Sequence, residues 1–147
     1  MRADTLFRIV NVAIVPGWLL LILAPRSRIT ERVVLSGLYS LAFASVYLVL
    51  IAAFYPGAEG GFSSLADVDR LFRNPYLLLA GWIHYLAFDL FVGAWEARDA
   101  AARGVGHLLM IPCLVLTFLF GPIGLLVYFA VRGLASGRRD ASTHAAR

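Results

Sequence analysis

Four long apolar runs, joined by connectors too short to hold a soluble domain, constrain this chain more than any other feature. They occupy roughly residues 6–23, 33–54, 75–99 and 108–131. An apolar run of about 20 residues in a helix matches the thickness of a bilayer's hydrocarbon core. The expected fold is therefore all-α: a polytopic membrane protein with four transmembrane helices in a compact bundle over residues 1–132. A short basic tail, residues 133–147, is expected to be disordered. With 61% hydrophobic and 15% charged residues among 147, the composition excludes an ordinary soluble domain. Any activity has to be performed by the bundle itself.

All 13 basic residues are arginine, and the net charge is +4. They sit at the ends of the apolar runs, with no basic stripe and no aromatic platform, so no nucleic-acid partner is expected. Four spans would place both termini and the long loop on one side with Arg2, Arg8, Arg70, Arg73, Arg132, Arg138, Arg139 and Arg147. The opposite side would hold Arg26, Arg28, Arg32, Arg98 and Arg103, so the positive-inside bias assigns the termini to the cytoplasm. An arginine-only basic set fits a GC-rich bacterium, which makes a bacterial cytoplasmic membrane the expected location and membrane lipid the first partner. The first run has the basic start of a signal peptide, but Ala24-Pro25 offers no cleavage pattern and the run reads as a retained span. Lone Cys113 lies in an apolar run, where a buried, inert thiol is the default.

Between the first two runs, Thr30 is placed to cap the second helix. The loop after Tyr55 carries Leu65, Val68, Leu71 and Phe72 at helical spacing, which predicts a short interfacial helix between spans two and three. The third run can continue as one helix to Arg103, about 40 Å at 1.5 Å per residue. The fourth contains Pro112 and is interrupted at Gly121-Pro122, which predicts a kink and close backbone approach.

Asp89 is the residue that asks for a reason, because an unpaired charge among Leu, Phe, Ala and Val inside a span costs several kcal/mol. At about 100° per residue, Tyr85, Asp89, Glu96 and Asp99 share one seam, with His84 and Trp95 at its edge. His107 opens the fourth run near the level of Glu96 and Asp99. The expected catalytic set is thus His84, Asp89, Glu96, Asp99 and His107, with Asp89 and His84 as the proton-transfer pair and no cofactor needed. Trp82, Tyr85, Phe88, Phe91 and Trp95, together with Asn11 from the first run, are the expected substrate-binding residues for an apolar ligand. A second reading makes Glu96, Asp99 and His107 the ligands of a divalent iron, zinc or manganese ion. A third explains Glu96 and Asp99 by solvated ion pairs with Arg98 and Arg103, and Asn11 by an interhelical hydrogen bond.

The pattern Trp82-x-His84-Tyr85-Leu86-x-x-Asp89-Leu90-x-x-Gly93-x-Trp95-x-x-x-Asp99 is followed by Pro112-Cys113-Leu114, Thr117 and Gly121-Pro122-x-Gly124-Leu125-Leu126. Together these segments resemble the abscisic-acid-deficient-4-like family, whose plant members are associated with neoxanthin synthesis. The resemblance implies a membrane enzyme of carotenoid or isoprenoid metabolism that isomerises a carotenoid-like polyene by acid/base chemistry. The alternatives within that resemblance are a metal-dependent carotenoid oxygenase and a non-enzymatic pigment- or lipid-binding subunit. Four short spans enclose little volume, so a long polyene would protrude into lipid or be shared across a homodimer.

Overall fold

A computed structural model describes the backbone of residues 2–145 and the side chains of residues 2–135. The described residues form helices and turns only, in agreement with the all-α expectation. Helix α1, Ala3–Leu23, ends where Ala24 precedes Pro25, because the residue before a proline is pushed out of the helical region. The next helical turn is capped by Ser27 rather than Thr30: the Ser27 hydroxyl accepts from the Thr30 N–H at 3.1 Å. Fully buried Thr30 instead donates its own hydroxyl to the Ala24 carbonyl at 2.6 Å, stitching the connector together.

The second apolar run is two elements. Thr30–Leu35 is wound as a π-helix, and α2, Leu38–Phe54, starts only after Gly37 turns with φ +84°, a value cheap for glycine alone. The break frees the Leu35 carbonyl, which accepts from the Arg98 guanidinium. The interfacial helix is present as α3, Leu65–Phe72, capped by the Ser64 hydroxyl, which accepts from the Asp67 N–H. Gly60 lies tight beneath it, since a Cβ there would stand 2.2 Å from the Asp67 carbonyl oxygen.

Helix α4, Pro75–Ala102, has 28 residues, begins with proline at its first turn and is capped by the Asn74 side chain. It is the central element. Helix α1 packs alongside it in the same direction, through Phe7 on Trp82 and Trp18 on Gly93. Helix α2 packs in the opposite direction, through Phe54 on Tyr76 and Tyr47 on His84. The core between them holds Ile14, Trp18, Leu21, Leu90 and Leu114.

The fourth apolar run departs most from expectation. Helix α5, His107–Phe120, climbs along α4 for only 14 residues; Gly121 then turns with φ +50°, and α6, Pro122–Ala145, descends beside α5. The two helices touch closely enough that a Cβ on Gly124 would lie 2.1 Å from the Thr117 nitrogen. Instead of a kinked span, the run is a helical hairpin whose tip lies beside Asp89 and whose second arm brings Arg132 back to Asp99. Arg132 therefore lies at the C-terminal end of α4, whereas Asp4 and Phe7 lie with Pro75 and Leu78 at its N-terminal end. Residue 132 does not share the N-terminus's side, as four spans would require. Helix α6 also continues through residues 133–145, where a disordered tail was expected, and residues 146–147 lie outside the described part.

Among the described residues two helices, α1 and α4, are long and apolar enough to cross a membrane; α2 and α5 have 17 and 14 residues. Large apolar side chains stand exposed on the outer faces, among them Val12, Leu41, Leu48, Val49, Leu108 and Leu126.

Candidate functional site

The seam expected on the third run exists, and it faces the α5–α6 hairpin. Asp89 is held against the tip: a Cβ on Gly121 would lie 2.9 Å from its Oδ1. Its Oδ2 is buried without a hydrogen-bond partner among the described residues, and the Tyr85 phenol lies beside the carboxylate. The same phenol reaches the Phe118 carbonyl at 3.4 Å. Two turns further along, Glu96 is fully buried, and the Thr117 hydroxyl stands 3.0 and 3.1 Å from its two oxygens. At the end of the helix, Asp99 accepts from the buried Tyr128 hydroxyl at 2.5 Å and from Arg103 at 2.8 Å, with Arg132 at 3.4 Å. The ion pair anticipated for Asp99 and Arg103 is present, and Asp99 also ties the second arm of the hairpin to α4.

His84 is not part of this seam. Five residues before Asp89, it turns about 140° away at 100° per residue and packs between Phe88 at 4.6 Å and Tyr47 at 5.6 Å, on the α2 side. The expected Asp89–His84 pair is therefore not brought together, and Tyr85 takes the place beside Asp89. His107 is used elsewhere as well: its Nε2 meets the Ile22 carbonyl at 2.8 Å, joining the start of α5 to the end of α1. Thr117, the partner of Glu96, lies ten residues along α5, about 15 Å of rise from His107. Glu96, Asp99 and His107 consequently point to three different partners. Among the described residues no three His, Cys, Asp or Glu side chains gather closely enough to hold a metal ion.

The aromatic residues are likewise divided around α4. Trp82 lies on the α1 side, where its Nε1 donates to Asn11 Oδ1 at 3.2 Å and its ring lies 5.7 Å from Phe7 and 5.3 Å from Tyr85. The Asn11 amide also donates to the Phe7 carbonyl at 2.7 Å, so its contact with Trp82 is the interhelical bond anticipated. Trp95 packs edge-on to Tyr128. Phe88 and Phe91 border a separate cavity against α2. Near the hairpin tip Tyr85 and Asp89 are half-buried, and Trp82, further towards the start of α4, is exposed. Trp82, Tyr85 and Asp89 follow one another down α4, and a cavity of about 470 Å³ lined by Phe7, Phe72, Leu78 and Trp82 lies at the N-terminal end of the helix, with neither Tyr85 nor Asp89 in its lining.

Several structural partners carried no sequence signal of their role. Tyr128 looks like one more aromatic in an apolar run, and Thr117 like one more small polar residue. Gly121-Pro122 did announce a break, although not that it reverses the chain. The fold and site define an all-α helical bundle that holds a carboxyl group in an apolar setting at the tip of a helical hairpin. The family described as ABA DEFICIENT 4-like matches residues 5–128, and the chain belongs to that family. A curated relative, Protein ABA DEFICIENT 4, chloroplastic, from Arabidopsis thaliana, is 24% identical over 144 residues, covering 92% of this chain and 64% of the relative. The chain thus spans somewhat less than two thirds of that relative's length. No solved structure matches.

Proposed function

We propose that this chain is a membrane-embedded enzyme of carotenoid metabolism that isomerises an oxygenated, carotenoid-like polyene by proton transfer at Asp89. The observation that carries the reading is the Asp89 carboxylate: one oxygen is buried and unpartnered among the described residues, and the Tyr85 phenol is its neighbour. The kinship to a relative named ABA DEFICIENT 4 supports the metabolic setting. The exposed apolar outer faces support a lipid environment.

Opening an epoxide while a proton leaves the neighbouring carbon frame converts it to an alcohol and an allene without redox change. Such a step needs a donor at the epoxide oxygen and a base at the carbon. In this reading Tyr85 donates its phenolic proton and its neighbour Asp89 accepts the one from carbon. Return of that proton from Asp89 to Tyr85 restores the starting state, so the pair closes its own cycle. Asp89 and Tyr85 replace the pairing of Asp89 with His84, whose ring lies against Tyr47 and Phe88.

Expression in cells that accumulate epoxidised carotenoids, followed by pigment chromatography, tests this reading. The wild-type protein is expected to produce a new isomer. Asp89→Asn abolishes conversion while leaving the protein in the membrane fraction, Tyr85→Phe lowers it at least a hundredfold, and His84→Phe leaves it within a few-fold of wild type. An unchanged pigment profile with the wild type, or full conversion by Asp89→Asn, refutes it. Pigment retained by the purified protein without any conversion would instead favour a non-enzymatic binding subunit.

A further inference from the structure

We infer that a charged cavity beside the C-terminal end of α4 binds the phosphoethanolamine headgroup of a membrane lipid. The cavity, of about 250 Å³, opens where four stretches of chain meet: Arg26 comes from the connector after α1, Glu31 from the π-helical turn, Ala97, Arg98 and Ala101 from the last turns of α4, and His107 from the start of α5. The alanines of α4 leave the room. Arg98 is fixed beside it, because its guanidinium donates to the Leu35 carbonyl, and it keeps further N–H donors for a ligand. His107 is held as well: a carbonyl only accepts, so the Nε2 that meets the Ile22 carbonyl at 2.8 Å is the donor.

The charges specify the occupant. Arg26, Glu31 and Arg98 are exposed and line this one cavity, yet among the described residues neither arginine forms an ion pair with Glu31. Two cations and a carboxylate thus face one space without closing on each other. Guanidinium groups match the paired oxygens of a phosphate, and a carboxylate accepts from the N–H donors of a primary ammonium. A ligand that carries both groups satisfies both kinds of wall. Phosphatidylethanolamine presents that combination, whereas the choline headgroup has no N–H and the glycerol headgroup has no cation, so each leaves Glu31 unmatched. The position suits a lipid as well. The cavity lies beside the C-terminal ends of α1 and α4, the two helices long and apolar enough to cross a membrane, and so at the level of the headgroups.

This inference rests on the lipid setting of the reading above and on nothing of its chemistry, because Asp89 lies at the tip of the hairpin and this cavity at the start of its first arm. The test titrates the full chain in detergent with dioleoyl lipids that differ only in their ethanolamine, choline or glycerol headgroup, and counts bound lipid by native mass spectrometry. The ethanolamine lipid should bind about tenfold more tightly than either of the others. Glu31→Gln should bring it down to the affinity of the choline lipid and leave the choline lipid unchanged. Arg26→Gln should weaken all three several-fold, with helicity unchanged by circular dichroism in both variants. Asp89→Asn should bind as wild type does, so loss of pigment conversion and loss of lipid binding separate the two readings. Equimolar free O-phosphoethanolamine should not displace the lipid. Equal affinity for the ethanolamine and choline lipids, tighter binding of the glycerol lipid, a preference that survives Glu31→Gln, or displacement by the free compound overturns the inference.

Discussion

Gly121 couples backbone conformation to the candidate chemistry. It holds φ +50° with ψ −100°, a backbone conformation open to glycine, and any Cβ would press on the Asp89 carboxylate. Gly121→Ala combines backbone strain of about 1–3 kcal/mol with a displaced Asp89. We expect thermal destabilisation of that order, and conversion reduced by far more than the loss of folded protein explains. Membrane-fraction quantification beside pigment chromatography separates the two effects. Glu96 and Thr117 make a contrasting pair. Thr117→Val leaves the buried carboxyl of Glu96 without its hydroxyl partner and should cost about 1–3 kcal/mol in a denaturation measurement.

Among the elements, α3 owes its start to Ser64 and Asp67. The Ser64 hydroxyl donates to Asp67 at 2.7 Å and, with Arg70, holds the Asp67 carboxyl below its ordinary range. Because the folded-state value is depressed, this contribution is present above the usual carboxylate range and is lost as pH falls through the lowered value. Amide hydrogen exchange in α3, corrected for intrinsic rate, should therefore accelerate on acidification towards pH 3 relative to pH 7. Ser64→Ala, which removes the cap at a cost of about 1 kcal/mol, should leave α3 less protected at both pH values. The α5–α6 hairpin depends on its ties to α4, chiefly Tyr128 and Arg132 on Asp99 and Thr117 on Glu96.

For the whole molecule, the hairpin decides the topology. Single cysteines at Asp4, Arg103 and Arg132, in a Cys113→Ser background, should label from opposite faces of sealed vesicles: position 4 from one side, 103 and 132 from the other. Four full spans would put positions 4 and 132 on the same side. Arg26, Arg28, Arg32, Arg98, Arg103 and Arg132 are then expected at the cytoplasmic face, against Arg2, Arg8, Arg70 and Arg73 at the other. Much of this was legible in the residues alone. The apolar runs demanded helices, the spacing of Leu65, Val68 and Leu71 predicted α3, and Asp89, Glu96 and Asp99 had to share a face because a helix repeats every 3.6 residues. Those properties are local, so sequence by itself determined them. Which neighbour each face meets is not local. A glycine-proline pair signals a break, but only close packing of Gly124 on Thr117 turned that break into a reversal. The reversal placed Asp89 beside a hairpin tip with Tyr85, sent Asp99 to Tyr128, and left His84 and His107 with other partners. Tertiary structure alone decided those pairings, because contacts between helices depend on how whole surfaces fit and not on spacing along one chain.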